Sequence, residues 1–340
     1  PHEIKIQPMK RVANLGLLCL TAVLAIAVLA TGPKSAVNAS SLQSGRYSLD
    51  QDFKLTNFYD YFNFYDTEDP THGFVRYVNE SEAWAKGYIK TTEHRVFMSP
   101  DRFGRSPNGR ESVRIESKRQ WHTGLFVLVL EHMPGGQCGS WPAFWLCGEN
   151  WPHRGEIDII EGVNTDSENQ MTLHTAQNCT MDRSASPWRH MTGQSTGDNC
   201  DVWETGNSGC GVKSNTPMGY GMGFNSGGGG AYVTEWTKEG IKVWYFNALK
   251  MPTDLLSEHP NPSDWTQTPD AVFPFGSHCA SDHFGHQRII FDITFCGDWA
   301  GNVFQQSGCP GSCKDFVANS PQSFIETYWS ILALRVYKQE

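Results

Sequence analysis

The chain has 340 residues, with 27 Lys and Arg against 36 Asp and Glu and a formal net charge of -9. That balance excludes a nucleic-acid surface built on a basic patch, since the longest basic cluster after residue 40 is Lys118-Arg119. The length is enough to bury a sizeable core as one large domain or two small ones, and 12% of the residues are aromatic, with 12 Trp.

Lys10 and Arg11 precede an almost unbroken apolar run from Val12 to Ala30, and Val37-Asn38-Ala39 offers a small-residue cleavage site before Ser40. Residues 1–39 are therefore expected to be upstream sequence plus a secretory signal peptide, with Met9 as its start. The run could also span a membrane as an uncleaved anchor. No internal repeat or Pro/Ser linker divides 40–340, which is expected to be a single domain. Beyond the leader lie nine cysteines, none in a convincing zinc pattern. Secretion makes disulfides the default, and the odd count leaves a thiol over. Asn79-Glu80-Ser81 and Asn178-Cys179-Thr180 are glycosylation sequons, the second carrying a cysteine that a bridge could claim.

Short strand-like runs then recur, without long amphipathic helices. They include Gly87–Lys90, Arg95–Met98, Ser112–Ser117, Leu125–His132, Glu156–Glu161, Met171–His174, Tyr232–Trp236, Ile241–Asn247, Arg288–Phe295 and Ile331–Tyr337. Many short strands separated by Gly, Pro and Asn predict an all-β fold, a sandwich or jelly roll. The chain ends on a strong strand, which suits a sheet that holds both termini. Residues 193–230 hold 12 of the 33 glycines and read as a long loop region pinned by disulfides.

The most informative run is Gly155-Glu156-Ile157-Asp158-Ile159-Ile160-Glu161-Gly162. β-Branched isoleucines make it a strand. In a regular strand Glu156 and Asp158 share a face and Glu161 takes the other. One extra residue, a β-bulge, returns Glu161 to the face of the other two acids. The glutamates are then separated by roughly 13 Å of backbone. Side chains that lean together could leave about 5 Å, the spacing of a retaining glycosidase. Taken alone the run could equally be a solvated acidic face, or a divalent-cation site.

The neighbours favour sugar chemistry. Trp141-Pro142-Ala143-Phe144-Trp145 and Trp151-Pro152 precede the acids, and Thr172-Leu173-His174-Thr175 follows on a run that a hairpin would place beside Glu156. Aromatic planes fit the C–H faces of sugar rings, and acids between them can act on the glycosidic bond.

These motifs, with Cys296-Gly-Asp-Trp-Ala-Gly301 and Gly308-Cys-Pro-Gly-Ser-Cys313, resemble the fungal laminarinases of glycoside hydrolase family 16, over about Ser48 to Val336. The resemblance implies a concanavalin-like β-jelly-roll sandwich with a long substrate groove across its concave sheet, making 40–340 a single catalytic domain. It implies retaining endo-hydrolysis of β-1,3-glucan and of mixed β-1,3/1,4-glucan, with Glu156 as nucleophile, Glu161 as acid/base and Asp158 tuning the nucleophile. Trp145, Trp151, His174, Trp299 and, on the groove wall, Arg114 match substrate-contacting positions. No cofactor and no metal site are expected. The expected partner is the polysaccharide alone, with no nucleic acid, no stable membrane association once the signal is cleaved, and a monomeric, secreted chain. Two alternatives remain, a non-catalytic β-glucan-binding protein and a cell-wall transglycosylase, which the bulged motif disfavours. Cys147 has no counterpart in the family pattern and is the expected unpaired thiol. The segment from Trp145 to the acids is one residue short, which leaves the placement of Trp151 open.

Overall fold

The computed structural model describes residues 46–184 and 190–340, so the leader expected over 1–39 lies outside the described residues. Two eight-stranded sheets pack face to face as a jelly-roll sandwich. Across the first sheet the strands run Gln194–Ser195, Cys210–Lys213, Gln170–His174, Glu156–Glu161, Ser140–Gly148, Gln287–Phe295, Arg114–Ser117 and Phe62–Phe64, all paired antiparallel. The second sheet is built around Gly124–His132, which lies between Gly230–Trp236 and the C-terminal strand Trp329–Gln339. Tyr47–Asp52 pairs with that last strand, so the first and last described strands share a sheet as expected.

Side-chain alternation explains the packing. In Ile241-Lys242-Val243-Trp244-Tyr245-Phe246, the residues Ile241, Val243 and Tyr245 enter the core between the sheets. Trp244 and Phe246 point the other way into a smaller apolar cluster, which Leu255, Met251 and Trp265 cover. From the first sheet, Phe144, Leu146, Ile157, Ile159 and Ile160 fill the main core. Burying each isoleucine contributes about 2–3 kcal/mol, which fixes that strand's inner face and so dictates what its outer face carries.

Two elements differ from the sequence pattern. The strand Ser140–Gly148 is central in its sheet, although Pro142 argues against a central strand. Its last registered partner in the acidic strand is Glu161 opposite Ala143, so Pro142 sits where that neighbour has run out. The 193–230 region is not simply a loop: it contributes the strands Gln194–Ser195 and Cys210–Lys213 and the helix Gly221–Ser226. A Cys200–Cys210 disulfide closes the turn before the second of these strands, which then pairs with Gln170–His174. The other bridges are Cys138–Cys309, Cys179–Cys279 and Cys296–Cys313, and Cys147 is a free thiol. Asn79 of the first sequon caps the helix Glu80–Lys86, its Oδ1 accepting from the Glu82 amide at 3.0 Å.

Candidate active site

The register of the acidic strand places its carboxylates. Glu156 faces Cys147 on one side and His174 on the other, and Asp158 faces Trp145 and Thr172. The register then slips, with Ile160 opposite Phe144 and Glu161 opposite Ala143. Ile159 is the extra residue of a bulge. Ile157, Ile159 and Ile160 are buried in the core, so Glu156, Asp158 and Glu161 share the outer face. Without the bulge the alternation would turn Glu161 inward.

The bulge is clamped from one side. Asn169 is fully buried; its Nδ2 donates to the Ile159 carbonyl at 2.8 Å and its Oδ1 accepts from the Glu161 amide at 2.9 Å. An extra strand residue frees backbone groups from the ladder, and these two bonds satisfy them.

Aromatic side chains line the same face. Trp141 Nε1 donates to Glu161 Oε1 at 2.8 Å, and the Trp299 ring stands edge-on against Trp141 at 5.7 Å. Trp145 Nε1 donates to Asp292 Oδ2 at 2.9 Å. Trp151 is 44% exposed and its indole N–H serves as a donor to Glu156. Arg114, only 7% exposed, lies against the rings of Tyr65 and Trp145 at 4.4 and 5.1 Å. It also pairs with Glu116 at 2.8 Å; Ile115 between them is in the core, so Arg114 and Glu116 lie on the outer face beside Trp145. Six of the eight residues picked from the sequence thus meet at the acids, Trp299 joins through Trp141, and Arg114 joins through Trp145.

The electrostatics act on all three acids in the same direction. Burial, then the Asp158 charge, pushes Glu156 up to about 8, while His174 and the Trp151 N–H act in the opposite direction. Burial drives Glu161 well above the usual carboxylate range, again with Asp158 adding to it and the Trp141 N–H opposing. Asp158 is also raised, first by burial. Neighbouring buried carboxylates cannot all ionise near neutrality, so the cluster as a whole holds protons. His174 Nε2 lies 3.4 Å from Asp158 Oδ2. Asp158 Oδ2 and His174 Nδ1 are buried and have no hydrogen-bond partner among the described residues.

This has a measurable consequence for stability. A carboxyl raised on folding keeps its proton while the unfolded chain releases it, so stability falls as pH rises from the ordinary 4.5 of Glu156 toward about 8. Glu156→Gln removes that ionisation. Its thermal unfolding is expected to gain on wild type by on the order of 4 kcal/mol at pH 8 and by close to nothing at pH 4. A gain of equal size at both pH values would contradict the burial account.

Glu156, Asp158 and His174 each offer one potential ligand atom, all within 4.8 Å of one another. Three such groups fall short of the six to eight oxygens that calcium takes. Cys147 lies beside Glu156, and burial, followed by the Glu156 charge, keeps its thiol protonated. The sequence placed Trp141 only among the aromatic neighbours of the acids, and assigned nothing to Asn169 or Asp292. Trp141 was within reach, because a strand through Pro142 puts it on the face of Trp145.

A family model described as the XgeA-like, catalytic GH16 domain matches residues 62–337. A probable endo-1,3(4)-β-glucanase of Aspergillus fumigatus is 44% identical over 319 residues, covering 89% of this chain and 48% of the relative. The solved structure of the GH16 laminarinase 16A from Phanerochaete chrysosporium, with β-glucans in both donor and acceptor sites, is 43% identical at a TM-score of 0.81 and covers 86% of this chain and 100% of that one. A solved GH family 16 β-1,3-glucosyltransferase described as elongating is 41% identical at a TM-score of 0.80, again covering 86% and 100%. This chain spans about half the length of curated Aspergillus relatives that it matches.

Proposed function

From the premise that the chain belongs to glycoside hydrolase family 16, we propose that it is a secreted, retaining endo-glycosidase that cleaves β-1,3-glucan and mixed β-1,3/1,4-glucan. The observation that carries this reading is the bulged strand, which presents Glu156, Asp158 and Glu161 together between tryptophans. Four disulfides favour an oxidising, extracellular setting. The chain acts as a monomer on polysaccharide and uses no cofactor.

In this mechanism Glu161 enters protonated, as its elevated pKa favours. It gives its proton to the glycosidic oxygen as the C1–O bond breaks. Glu156 reacts in its ionised form, which His174 and the Trp151 N–H support against the burial that raises it, and forms a bond from a carboxylate oxygen to C1. Glu161, now a base, takes a proton from water; the water oxygen bonds to C1, and Glu156 departs as carboxylate. Two inversions return the original anomer. Asp158 sits beside Glu156 and adjusts its charge through the cycle. The Trp145, Trp151 and Trp299 rings offer planes for sugar faces.

Proton NMR during laminarin or lichenan cleavage tests this reading: β-anomeric reducing ends accumulate before mutarotation. First appearance of the α-anomer would rule out the retaining mechanism. A second reading, transglycosylation, is favoured by the likeness to the elongating glucosyltransferase. In that case a sugar hydroxyl replaces water in the second step, and labelled laminaripentaose grows with little release of new reducing ends.

A further inference from the structure

We propose that Trp203 is the platform of an additional glucose subsite, on the side of Glu156 where the strands Gln170–His174 and Cys210–Lys213 join. The proposal rests on the glucan-cleaving reading above and extends it.

Trp203 is 54% exposed, and its loop is firmly held. The Cys200–Cys210 disulfide closes the loop at its base. Asp201 Oδ1 accepts from the amides of Trp203 at 2.9 Å and Glu204 at 3.3 Å. Thr205 Oγ1 donates to the Asp201 carbonyl at 2.7 Å and accepts from the Gly209 amide at 3.2 Å. The loop is also bonded to the residue after His174: the Thr175 amide donates to the Cys200 carbonyl, and the Val202 amide to the Thr175 carbonyl. A large apolar ring on a braced loop gains nothing for folding by facing water. For a ligand it costs little entropy to use, because the loop is already ordered.

Its position ties it to the acids. A Cβ on Gly209 would stand 2.9 Å from His174 Cε1, so the base of the loop lies against the residue opposite Glu156. From the other side His153 meets the Trp203 ring at a centroid distance of 5.7 Å. His153 belongs to the turn that carries Trp151, the donor to Glu156. The Trp203 ring thus meets the turn that carries Trp151. β-Glucosyl units carry equatorial hydroxyls and axial C–H bonds, so both ring faces are apolar and stack on such planes. The ligand class is a β-glucan oligosaccharide long enough to extend past the catalytic row.

The test compares wild type, Trp203→Ala and Trp203→Phe across laminari-oligosaccharides from three to seven glucose units. For Trp203→Ala the loss in kcat/KM grows with chain length and reaches about tenfold on the longest. Trp203→Phe, which keeps a ring, recovers most of it. An equal loss at every length, or none at any, overturns the proposal. Calorimetric titration with laminariheptaose reads the platform even if no bond is cleaved. Weaker binding by Trp203→Ala then supports it in the absence of hydrolysis, and equal binding rejects it, whereas hydrolysis by wild type reports separately on the enzymatic reading. Matching melting temperatures of the three proteins exclude misfolding as the cause.

Discussion

Glu156→Ala is expected to lower kcat/KM on laminarin by on the order of 10⁴-fold or more, and Glu161→Ala by roughly 10²- to 10⁴-fold. The two losses differ in kind. Glu161 assists a poor leaving group, so an aryl β-laminaribioside, whose phenolate leaves unaided, restores the first step in Glu161→Ala but not in Glu156→Ala. Azide separates them further. In Glu161→Ala it enters the space of the missing base, attacks the glycosyl-enzyme and yields the β-glycosyl azide. In Glu156→Ala it takes the nucleophile's place and yields the α-azide directly. Swapped stereochemistry would reverse the assignment, and unchanged sugar release from either variant would remove the carboxylate concerned from the mechanism.

The second large effect belongs to Asn169, which touches no substrate in this mechanism. Its two hydrogen bonds, to the Ile159 carbonyl and the Glu161 amide, span the bulge. Asn169→Ala leaves both backbone groups unsatisfied in a fully buried place, a cost of about 2–4 kcal/mol. A wholly structural role would lower the melting temperature and leave kcat per folded molecule intact. A positioning role predicts more: a displaced Glu161 donates its proton less well, so kcat falls on the order of 10²-fold. The loss is far smaller on the aryl substrate, and KM changes little. Equal losses on both substrates would mean that Asn169 does not act through Glu161. Asn169→Asp retains one acceptor and loses the donor, and is expected to fall between wild type and Asn169→Ala.

How legible the site is in the sequence depends on what each residue's neighbours reveal. The Ile159-Ile160 doublet breaks a two-residue period, and a broken period between apolar residues that both need burial is visible without coordinates. The glutamates, Asp158 and His174 follow from that one irregularity and one hairpin. Ser140–Gly148 was hidden because Pro142 contradicts a central strand locally, and only the end of the neighbouring strand makes it tolerable. Asn169 gives no local signal at all. An asparagine before a strand reads as turn chemistry, and its partners become its neighbours only when the hairpin closes. The same holds for Trp203, whose loop acquires its meaning from a disulfide and from bonds to Thr175. The strands themselves were largely readable because alternation is a local property, whereas Cys210–Lys213 was too short and too rich in small residues to stand out.

Eight cysteines of the described residues are bridged in pairs, which leaves Cys147 with a consequence for the experimenter. Its strand position puts the thiol next to Glu156, on the floor where a sugar would rest. The molecule thus carries its own attachment point for a reporter group at the seat of catalysis, with no engineered cysteine needed. Because burial holds the thiol in its less reactive protonated form, alkylation is slow at neutral pH and quickens in alkali. Reagent and oligosaccharide compete for one space, so the labelling rate becomes a gauge of occupancy, and a rate indifferent to saturating laminariheptaose would move the thiol off the path of the glucan.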